Sequence, residues 1–251
     1  MKDVLITSEG DNELRKRVSS AGENLGHLSL SKDDLLSSLE ELAKCLQEVK
    51  QSPSHLIQNA IALTVNSLGE HRLLRRPKNE VRLVVSNCLS EIIRITVPEI
   101  PYKDDIMKEV LQLIVESLHG LHDDKDPTFN RRTKNLDIMA RTRSFVLMLD
   151  LHYDELILQM FQCLIAEIRK RHPNKLKTDM FDILSMILDE NDTVCKQLRY
   201  NLLDIWRTKL HVSATAYDFA RSFIELKIEK FREQLTSEEL VMWGLQVSPS
   251  L

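Results

Sequence analysis

The sequence predicts an all-α protein built from stacked antiparallel helix pairs. Turn formers are scarce, with six glycines and seven prolines among 251 residues. Apolar residues recur at steps of three and four along most of the chain, which is the pattern of amphipathic helices. The predicted helices begin at intervals of about 46–50 residues, as expected for two-helix HEAT or armadillo units. Such pairs stack into a right-handed superhelix with a continuous core. A globular helical bundle is the alternative, and the regular interval favours stacking.

The first segment, residues 1–30, is polar and has weak periodicity. It contains Gly10, Gly22 and Gly26, and we interpret it as a loosely ordered leader with a short helix near residues 11–20. The helical repeat domain is predicted over residues 31–235. Its first helix begins after Ser31, an N-cap residue that is followed by acidic residues in the first turn.

The remaining helices alternate as first and second members of pairs. First members are predicted to begin near residues 55, 104 and 154, and second members near residues 78, 128 and 174. The apolar stripe from Val81 to Ile93 is the clearest, and Pro98 and Pro101 end that helix. Asp192 is the predicted cap of a later helix, and a last long helix covers about residues 214–234. Residues 236–251 are predicted to be a C-terminal tail.

The totals exclude several functional classes. The formal net charge of −4 is too small to indicate nucleic-acid binding by itself. The N-terminal residues do not resemble a secretory leader, and no apolar run approaches the roughly 20 residues that span a bilayer. The four scattered cysteines fit a reducing compartment better than a disulfide framework. We therefore predict a soluble, intracellular protein without membrane association.

No catalytic or cofactor motif is present in the sequence. The scattered glycines form no phosphate-binding loop, so neither a cofactor nor a small-molecule substrate is predicted. His119 and His122, beside Asp123 and Asp124, are the nearest approach to a metal cluster. No cysteine is close to them in sequence, and a solvated polar turn is the preferred interpretation. The sequence therefore predicts a protein that is not an enzyme.

Basic residues recur at the same point of successive helix pairs. The candidate basic edge consists of Arg75, Arg76, Lys78, Arg131, Arg132 and Lys134. Stacking would align these side chains into a stripe for phosphates or for an acidic partner. The simpler interpretation is that they offset helix dipoles and solvate loops, and the overall acidic balance favours it.

The segment from Val81 to Ile95, with Thr96-Val97-Pro98-Glu99-Ile100-Pro101-Tyr102 after it, resembles a signature of one protein family. Further matches follow in the same order, at Gly120-Leu121, at Phe129-Asn130-Arg131-Arg132 and at Ala216-Tyr217-Asp218-Phe219-Ala220. The family is the cohesin-associated sister chromatid cohesion protein named for precocious dissociation of sisters. The chain resembles the N-terminal part of its members, above all the plant ones.

The resemblance implies a HEAT-repeat cohesin cofactor in the nucleus, bound to chromatin and active in cell division. It implies partners in the kleisin subunit of cohesin and in the wings-apart-like release factor. It also implies roles in cohesion through mitosis and, for plant members, in repair of DNA damage by homologous recombination. A direct DNA-binding repair scaffold that uses the candidate basic edge is the alternative.

The resemblance further implies a partner-binding site at the proline-rich element. Carried over residue by residue, this site consists of Pro98, Glu99, Pro101 and Tyr102. From the residues alone, the same segment connects two helices rigidly and would hold an exposed Tyr and Glu, or would be a simple corner. Val97 and Ile100 replace two alanines of the family, which would re-tune binding. Family members are also much longer than this chain.

Overall fold

The structure, a computed structural model, describes residues 9–25, 31–77, 80–190, 194–207 and 213–244. These ranges contain thirteen helices and no strand, so the predicted all-α class is confirmed. The helices are α1 (Glu9–Leu25), α2 (Lys32–Glu48), α3 (His55–Leu68), α4 (His71–Leu74), α5 (Glu80–Thr96), α6 (Asp104–Ser117), α7 (Phe129–Thr142), α8 (Val146–Asp150), α9 (Asp154–Glu167), α10 (Asn174–Glu190), α11 (Lys196–Arg207), α12 (Ala214–Arg232) and α13 (Ser237–Met242). Within the described ranges, each helix is too short or too polar to cross a bilayer.

The chain forms two compact units where one repeat domain was predicted over residues 31–235. The first unit comprises Met1–Ser117 and Asn130–Ile138, and the second comprises Leu118–Phe129 and Met139–Leu251. In the first unit α1 packs against α2 and α3, while α5 packs against α2, α3 and α6. Neighbouring pairs thus stack in two layers, as predicted for helical repeats.

Helix α1 differs from the predicted leader. It extends well beyond residues 11–20 and buries Val18, Ala21 and Leu25 completely or almost completely. It is the first member of an additional helix pair, since α1 and α3 begin at Glu9 and His55, an interval like those that follow. Residues 1–8 and 26–30 of the predicted leader lie outside the described residues.

Gly22 is one reason why the full length of α1 was not predicted from the sequence. A Cβ atom at Gly22 would lie 2.5 Å from the Thr64 hydroxyl oxygen of α3, so only glycine permits this approach. A glycine inside a helix usually argues against the helix, because it costs conformational entropy. Here it marks close packing between helices.

The C-terminal residues also differ from the predicted tail. Thr236 and Glu239 form a reciprocal capping box at the start of α13, and Trp243 is buried after it. The Glu239 carboxylate also contacts the Arg199 guanidinium at 3.4 Å. The predicted helix cap at Asp192 and residues 245–251 lie outside the described residues.

Helix α5 is the most deeply buried element of the first unit. Of its 17 residues 13 are buried, including the predicted apolar stripe. Ser86, Asn87 and Glu91 are also buried, although they are polar. Such groups are costly in an apolar core unless they find hydrogen-bond partners. The neighbours of α5 supply them.

An amide and hydroxyl network joins α5, α6 and α7. The fully buried Asn135 amide donates to Ser86 Oγ at 2.9 Å and to Ser117 Oγ at 2.8 Å. Its carbonyl oxygen accepts from the Asn87 amide at 2.5 Å. Asn87 also donates to the Arg131 carbonyl oxygen at 3.0 Å. Each helix is therefore fixed in rotation by polar groups that have no access to water.

A buried charge cluster joins α5 to α2. The Glu91 carboxylate accepts from Arg94 Nε at 2.5 Å and lies 3.2 Å from Lys134 Nζ. Arg94 Nη2 donates at 2.8 Å to the carbonyl oxygens of Leu46 and Val49, which end α2. A guanidinium at this position hydrogen-bonds to carbonyls at the C-terminus of the helix and opposes the negative end of the helix dipole.

In the second unit, an aromatic cluster joins α9, α10 and α12. Phe181 lies edge-on to Phe219 and Phe223, with ring centroids 5.9 and 5.7 Å away, and Phe223 also lies 6.0 Å from Phe161. These separations are those of favourable aromatic pairs. The cluster supplies the core of this part of the unit.

Replacing Asn135 with alanine should destabilise the protein strongly. The Asn87 amide and the two buried hydroxyls of Ser86 and Ser117 would each lose one hydrogen bond while keeping a backbone acceptor. A hydrogen bond contributes about 0.5–1.5 kcal/mol. We expect a loss of roughly 2–4 kcal/mol in the free energy of unfolding, measured by urea denaturation. Asn130→Ala, an exposed change on the same helix, is the control and should cost less than about 0.5 kcal/mol.

Stability should decline in mildly acidic solution because of His172. Burial lowers the pKa of this imidazole, with Arg169 and Arg171 acting in the same direction and Asp124 against it. The unfolded chain therefore binds the proton more readily than the folded one. The contribution to stability is complete above about pH 6.5 and is lost as the pH falls through the folded-state pKa.

The pH dependence can be measured by urea denaturation between pH 5 and pH 8. One proton changes the free energy of unfolding by at most about 1.4 kcal/mol per pH unit. A His172→Leu variant should show a shallower dependence over this range. An identical dependence in both proteins would show that His172 does not cause it.

Candidate partner-binding groove

The proline-rich element begins where α5 ends. The Thr96 hydroxyl donates to the Ile92 carbonyl oxygen at 2.9 Å, and the Val97 amide donates to Ile93 at 2.9 Å. The Glu99 amide then donates to Thr96 at 2.8 Å, which closes a turn after a cis Val97–Pro98 bond. Proline rings fix the backbone at two of these positions. The element therefore has a defined course between α5 and α6.

Tyr102 is not the exposed side chain that the sequence suggested. Its ring is half-buried against α3, and its hydroxyl donates to the Val65 carbonyl oxygen at 3.0 Å. Burial raises the pKa of this phenol above its ordinary value. A Cβ atom at Gly69 would lie 2.8 Å from the Tyr102 ring, so the glycine provides the space. Tyr102 thus fastens the proline-rich element to the end of α3.

A groove opens between this element and α3. It has a volume of about 420 Å³. The residues that line it come from the α2–α3 connection, from α3 and from the end of α5 with the residues that follow: Ser52, Pro53, Gln58, Ile61, Ala62, Val65, Asn66, Ile95, Thr96, Pro98, Glu99 and Pro101. We call this feature the proline-element groove. Three of the four predicted site residues line it, and Tyr102 supports it.

The walls of the groove are held together by backbone contacts. The Gln51 side-chain amide donates to the Val97 carbonyl oxygen at 3.0 Å. The Ser52 amide donates to the Ile95 carbonyl oxygen at 3.3 Å. These bonds join the α2–α3 connection to the end of α5. The groove is therefore a preformed feature, which lowers the entropic cost of binding a ligand.

Among the residues that line the groove, Glu99 is the one that carries a formal charge, beside apolar and neutral polar side chains. α3 contains no Asp, Glu, Lys or Arg, although Leu63 is 50% exposed and Ala62 is exposed beside it. Ile100 on the facing segment is 44% exposed. Glu99 is exposed and has no ion-pair partner among the described residues. The groove can therefore accept apolar side chains and one basic group.

The candidate basic edge is used within the fold. Arg75 pairs with Glu109 at 2.6 Å, which raises the pKa of Arg75 and lowers that of Glu109. Arg131 pairs with Glu40, and Lys134 with Glu91. Arg132 donates to the Ser117 carbonyl oxygen at 2.9 Å.

The remaining members of the edge are Arg76 and Lys78. Arg76 is half-buried, and its carbonyl oxygen accepts from Arg82. Lys78 lies outside the described residues. The arrangement matches the interpretation as helix-end and ion-pair residues, and DNA binding through this edge stays a prediction.

The sequence of this chain matches the model of one protein family. The model of the sister chromatid cohesion protein PDS5 family matches residues 33–237. The chain belongs to this family. The resemblance that rested on the α5 segment and the proline-rich element is thereby confirmed. The match also covers the groove, which places the groove within a segment characteristic of the family.

Individual relatives agree with this assignment. The PDS5 homolog C of Arabidopsis thaliana is 34% identical over 229 residues, which is 91% of this chain and 26% of that protein. The PDS5 homolog A of the same plant is 36% identical over 84% of this chain and 13% of that protein. The PDS5 homolog A of Danio rerio is 31% identical over 87% of this chain and 17% of that protein. This chain therefore spans about a quarter or less of the length of each of these relatives.

A solved structure shares the fold. A chain from a structure of the Pds5–Scc1 complex superposes with a TM-score of 0.71. The two chains are 20% identical, and the match covers 83% of this chain and 33% of the other. This similarity supports the helical-repeat architecture of the family.

Sequence reasoning missed the α3 side of the groove. Its residues were assigned to an ordinary amphipathic helix. The sequence feature that could have indicated the groove is the lack of Asp, Glu, Lys and Arg between His55 and Leu68. An exposed helix normally carries charges on its solvent face. The contact between Tyr102 and Gly69 could not be predicted from the local sequence pattern, because the two residues are 33 positions apart.

Gly69→Ala should destabilise the first unit through Tyr102. Gly69 has an ordinary φ of −74°, so backbone strain does not contribute and the cost arises from the close approach to the ring. We expect a loss of about 1–3 kcal/mol, measured by urea denaturation, as for other overpacked sites. In a Tyr102→Ala background the same glycine substitution should be nearly neutral. Equal costs in both backgrounds would show that the Tyr102 contact is not the cause.

Proposed function

We propose that this chain acts as a cohesin regulator in sister chromatid cohesion by binding partner segments in the proline-element groove. Membership of the PDS5 family supports the process, and a relative in the family fold has been described in complex with Scc1. The observation that carries the proposal is a preformed groove of about 420 Å³ at the proline-rich element. Its volume lies in the range of ligand-binding clefts.

The chemistry of the groove indicates the kind of segment that it binds. An extended peptide would place apolar side chains against Ala62 and Pro98, where few charges need to be desolvated. A lysine or arginine of the peptide would pair with the exposed Glu99 carboxylate. We propose the kleisin subunit of cohesin and the wings-apart-like factor as the partners that supply such segments.

The action proposed here is that of a non-enzymatic scaffold in the nucleus. The groove offers shape, apolar surface and one carboxylate, which together suit recognition. Repair of DNA damage by homologous recombination is a further proposed role, which follows from the resemblance to plant members. In this role the chain would act on chromatin through cohesin.

Reversing the charge at Glu99 tests the proposal. Glu99→Lys should weaken binding of the purified kleisin subunit or of the wings-apart-like factor by about tenfold or more, because a charged hydrogen bond at an interface is replaced by repulsion. Binding is measured by pull-down and then by fluorescence anisotropy. Glu233→Lys makes the same change at an exposed position near the end of α12 and should bind as the wild type does.

A second variant tests the contribution of the groove's shape to binding, separately from the contribution of the Glu99 charge. Ala62→Arg would place a long cationic side chain into the groove from α3 and should also weaken binding. The fold should be kept, because Ala62 is exposed on the helix surface. Unchanged binding in both Glu99→Lys and Ala62→Arg would contradict the assigned site. No binding by the wild type would contradict the partners. A steep decline of DNA affinity with salt would then favour the alternative of a direct DNA-binding scaffold.

A further inference from the structure

A second cluster of chemically active side chains lies in the second unit, at the loop that follows Leu118. The three members are His119 on this loop and Cys163 and Glu167 on α9. One nitrogen, sulfur or oxygen atom from each lies within 4.8 Å of the other two. No cysteine is near His119 in sequence, so the sequence favoured a solvated polar turn at this position. Folding brings Cys163 to it across 44 positions.

The two distances from His119 within the cluster are close to those between ligands of one metal ion. His119 Nδ1 lies 3.6 Å from Cys163 Sγ and 3.8 Å from Glu167 Oε1. Zinc binds nitrogen and oxygen at about 2.0–2.2 Å and sulfur at about 2.3 Å. A tetrahedral arrangement at these lengths separates its ligands by about 3.4–3.6 Å. The His119–Cys163 separation lies at the end of this range, and the His119–Glu167 separation exceeds it by a few tenths of an ångström. The Cys163 and Glu167 atoms lie within 4.8 Å of each other and would approach further on binding.

The arrangement on α9 also suits a metal. Cys163 and Glu167 are four residues apart on one helix, so their side chains lie on the same face one turn apart. Both side chains are buried, whereas the His119 ring is 60% exposed. Two ligands are thus held rigidly by the helix. The third reaches them from a loop, on the side open to solvent.

Glu167 provides an independent reason to expect a cation. Its side chain is only 8% exposed, and no lysine or arginine pairs with it among the described residues. Its partners are His119, and the backbone amide and Nδ1 of His122 at 2.7 and 2.8 Å. A buried carboxylate needs a compensating charge. A divalent ion would supply it, and the His122 bonds would orient the carboxylate as second-layer contacts do at metal sites.

We propose that His119, Cys163 and Glu167 form a zinc-binding site. Three protein ligands with nitrogen, sulfur and oxygen donors suit Zn²⁺ better than Mg²⁺ or Ca²⁺, which prefer oxygen alone. The fourth position faces solvent beside His119 and takes water. Binding converts the Cys163 thiol to a thiolate and releases its proton to solvent.

The bound ion would fasten the loop that precedes α7 to the end of α9. At present that loop is held to α9 by the contacts of His122 with Glu167, and to the following residues by Arg171, which pairs with Asp124 at 2.8 Å. The site is independent of the proposed groove function, since none of its residues lines the groove.

Zinc binding by the purified full chain tests this proposal. The reduced, chelator-treated protein is titrated with Zn²⁺ against a chromophoric competitor, and then with Co²⁺. We expect one Zn²⁺ per chain, and a sulfur-to-cobalt charge-transfer band with Co²⁺. His119→Ala should weaken Zn²⁺ binding about 100-fold while the fold is kept, because this ring is exposed. Cys163→Ser should abolish the charge-transfer band.

Cys195→Ser is the matched control, because Cys195 is a half-buried cysteine in the same unit that is outside the cluster. It should bind both ions as the wild type does. Zinc should also raise the melting temperature of the wild type and of Cys195→Ser, but not of His119→Ala. Absence of stoichiometric binding at micromolar Zn²⁺, or equal binding by His119→Ala, would overturn the proposal. The cluster would then be an imidazole–carboxylate pair only.

Discussion

The burial of polar side chains on α5 is the constraint on which the first unit depends. Glu91 and Asn87 sit in a helix that is almost fully enclosed, where unpaired polar groups are costly. Their partners must therefore come from neighbouring helices in one orientation. Apolar packing alone tolerates sliding and rotation more readily than hydrogen bonds do. The network around Asn135 and the ion cluster around Glu91 thus fix how α2, α6 and α7 surround α5.

The groove is a consequence of this arrangement. Arg94 holds the end of α2, and the residues just after that end contact the backbone at the end of α5. Tyr102 then fastens the following segment to α3. Both walls of the groove are therefore connected to one buried helix. Partner recognition at such a site also depends on residues that do not contact the partner. Tyr102 is such a supporting residue, whereas Glu99 is exposed to the partner.

The sequence predicted local periodicity well and tertiary placement only in part. The stripe on α5 and the start of each later pair agree with the structure, because both depend on nearest-neighbour spacing. α1 was assigned to a leader because Gly22 and many polar residues suggested disorder, whereas the glycine allows contact with Thr64. The metal-type cluster was dismissed because Cys163 is distant in sequence from His119. Close approaches and long-range pairs of this kind have no local signature.

Native-state hydrogen exchange of the full chain tests most directly whether α5 anchors the first unit. Elements that open together exchange with a common free energy. We expect α5 and residues 130–138 of α7 to exchange most slowly in the unit, with the same denaturant dependence. We also expect α1 to be protected as a packed helix. Faster exchange in α5 than in α3 or α6, or α7 opening separately from α5, would contradict the anchoring role of α5.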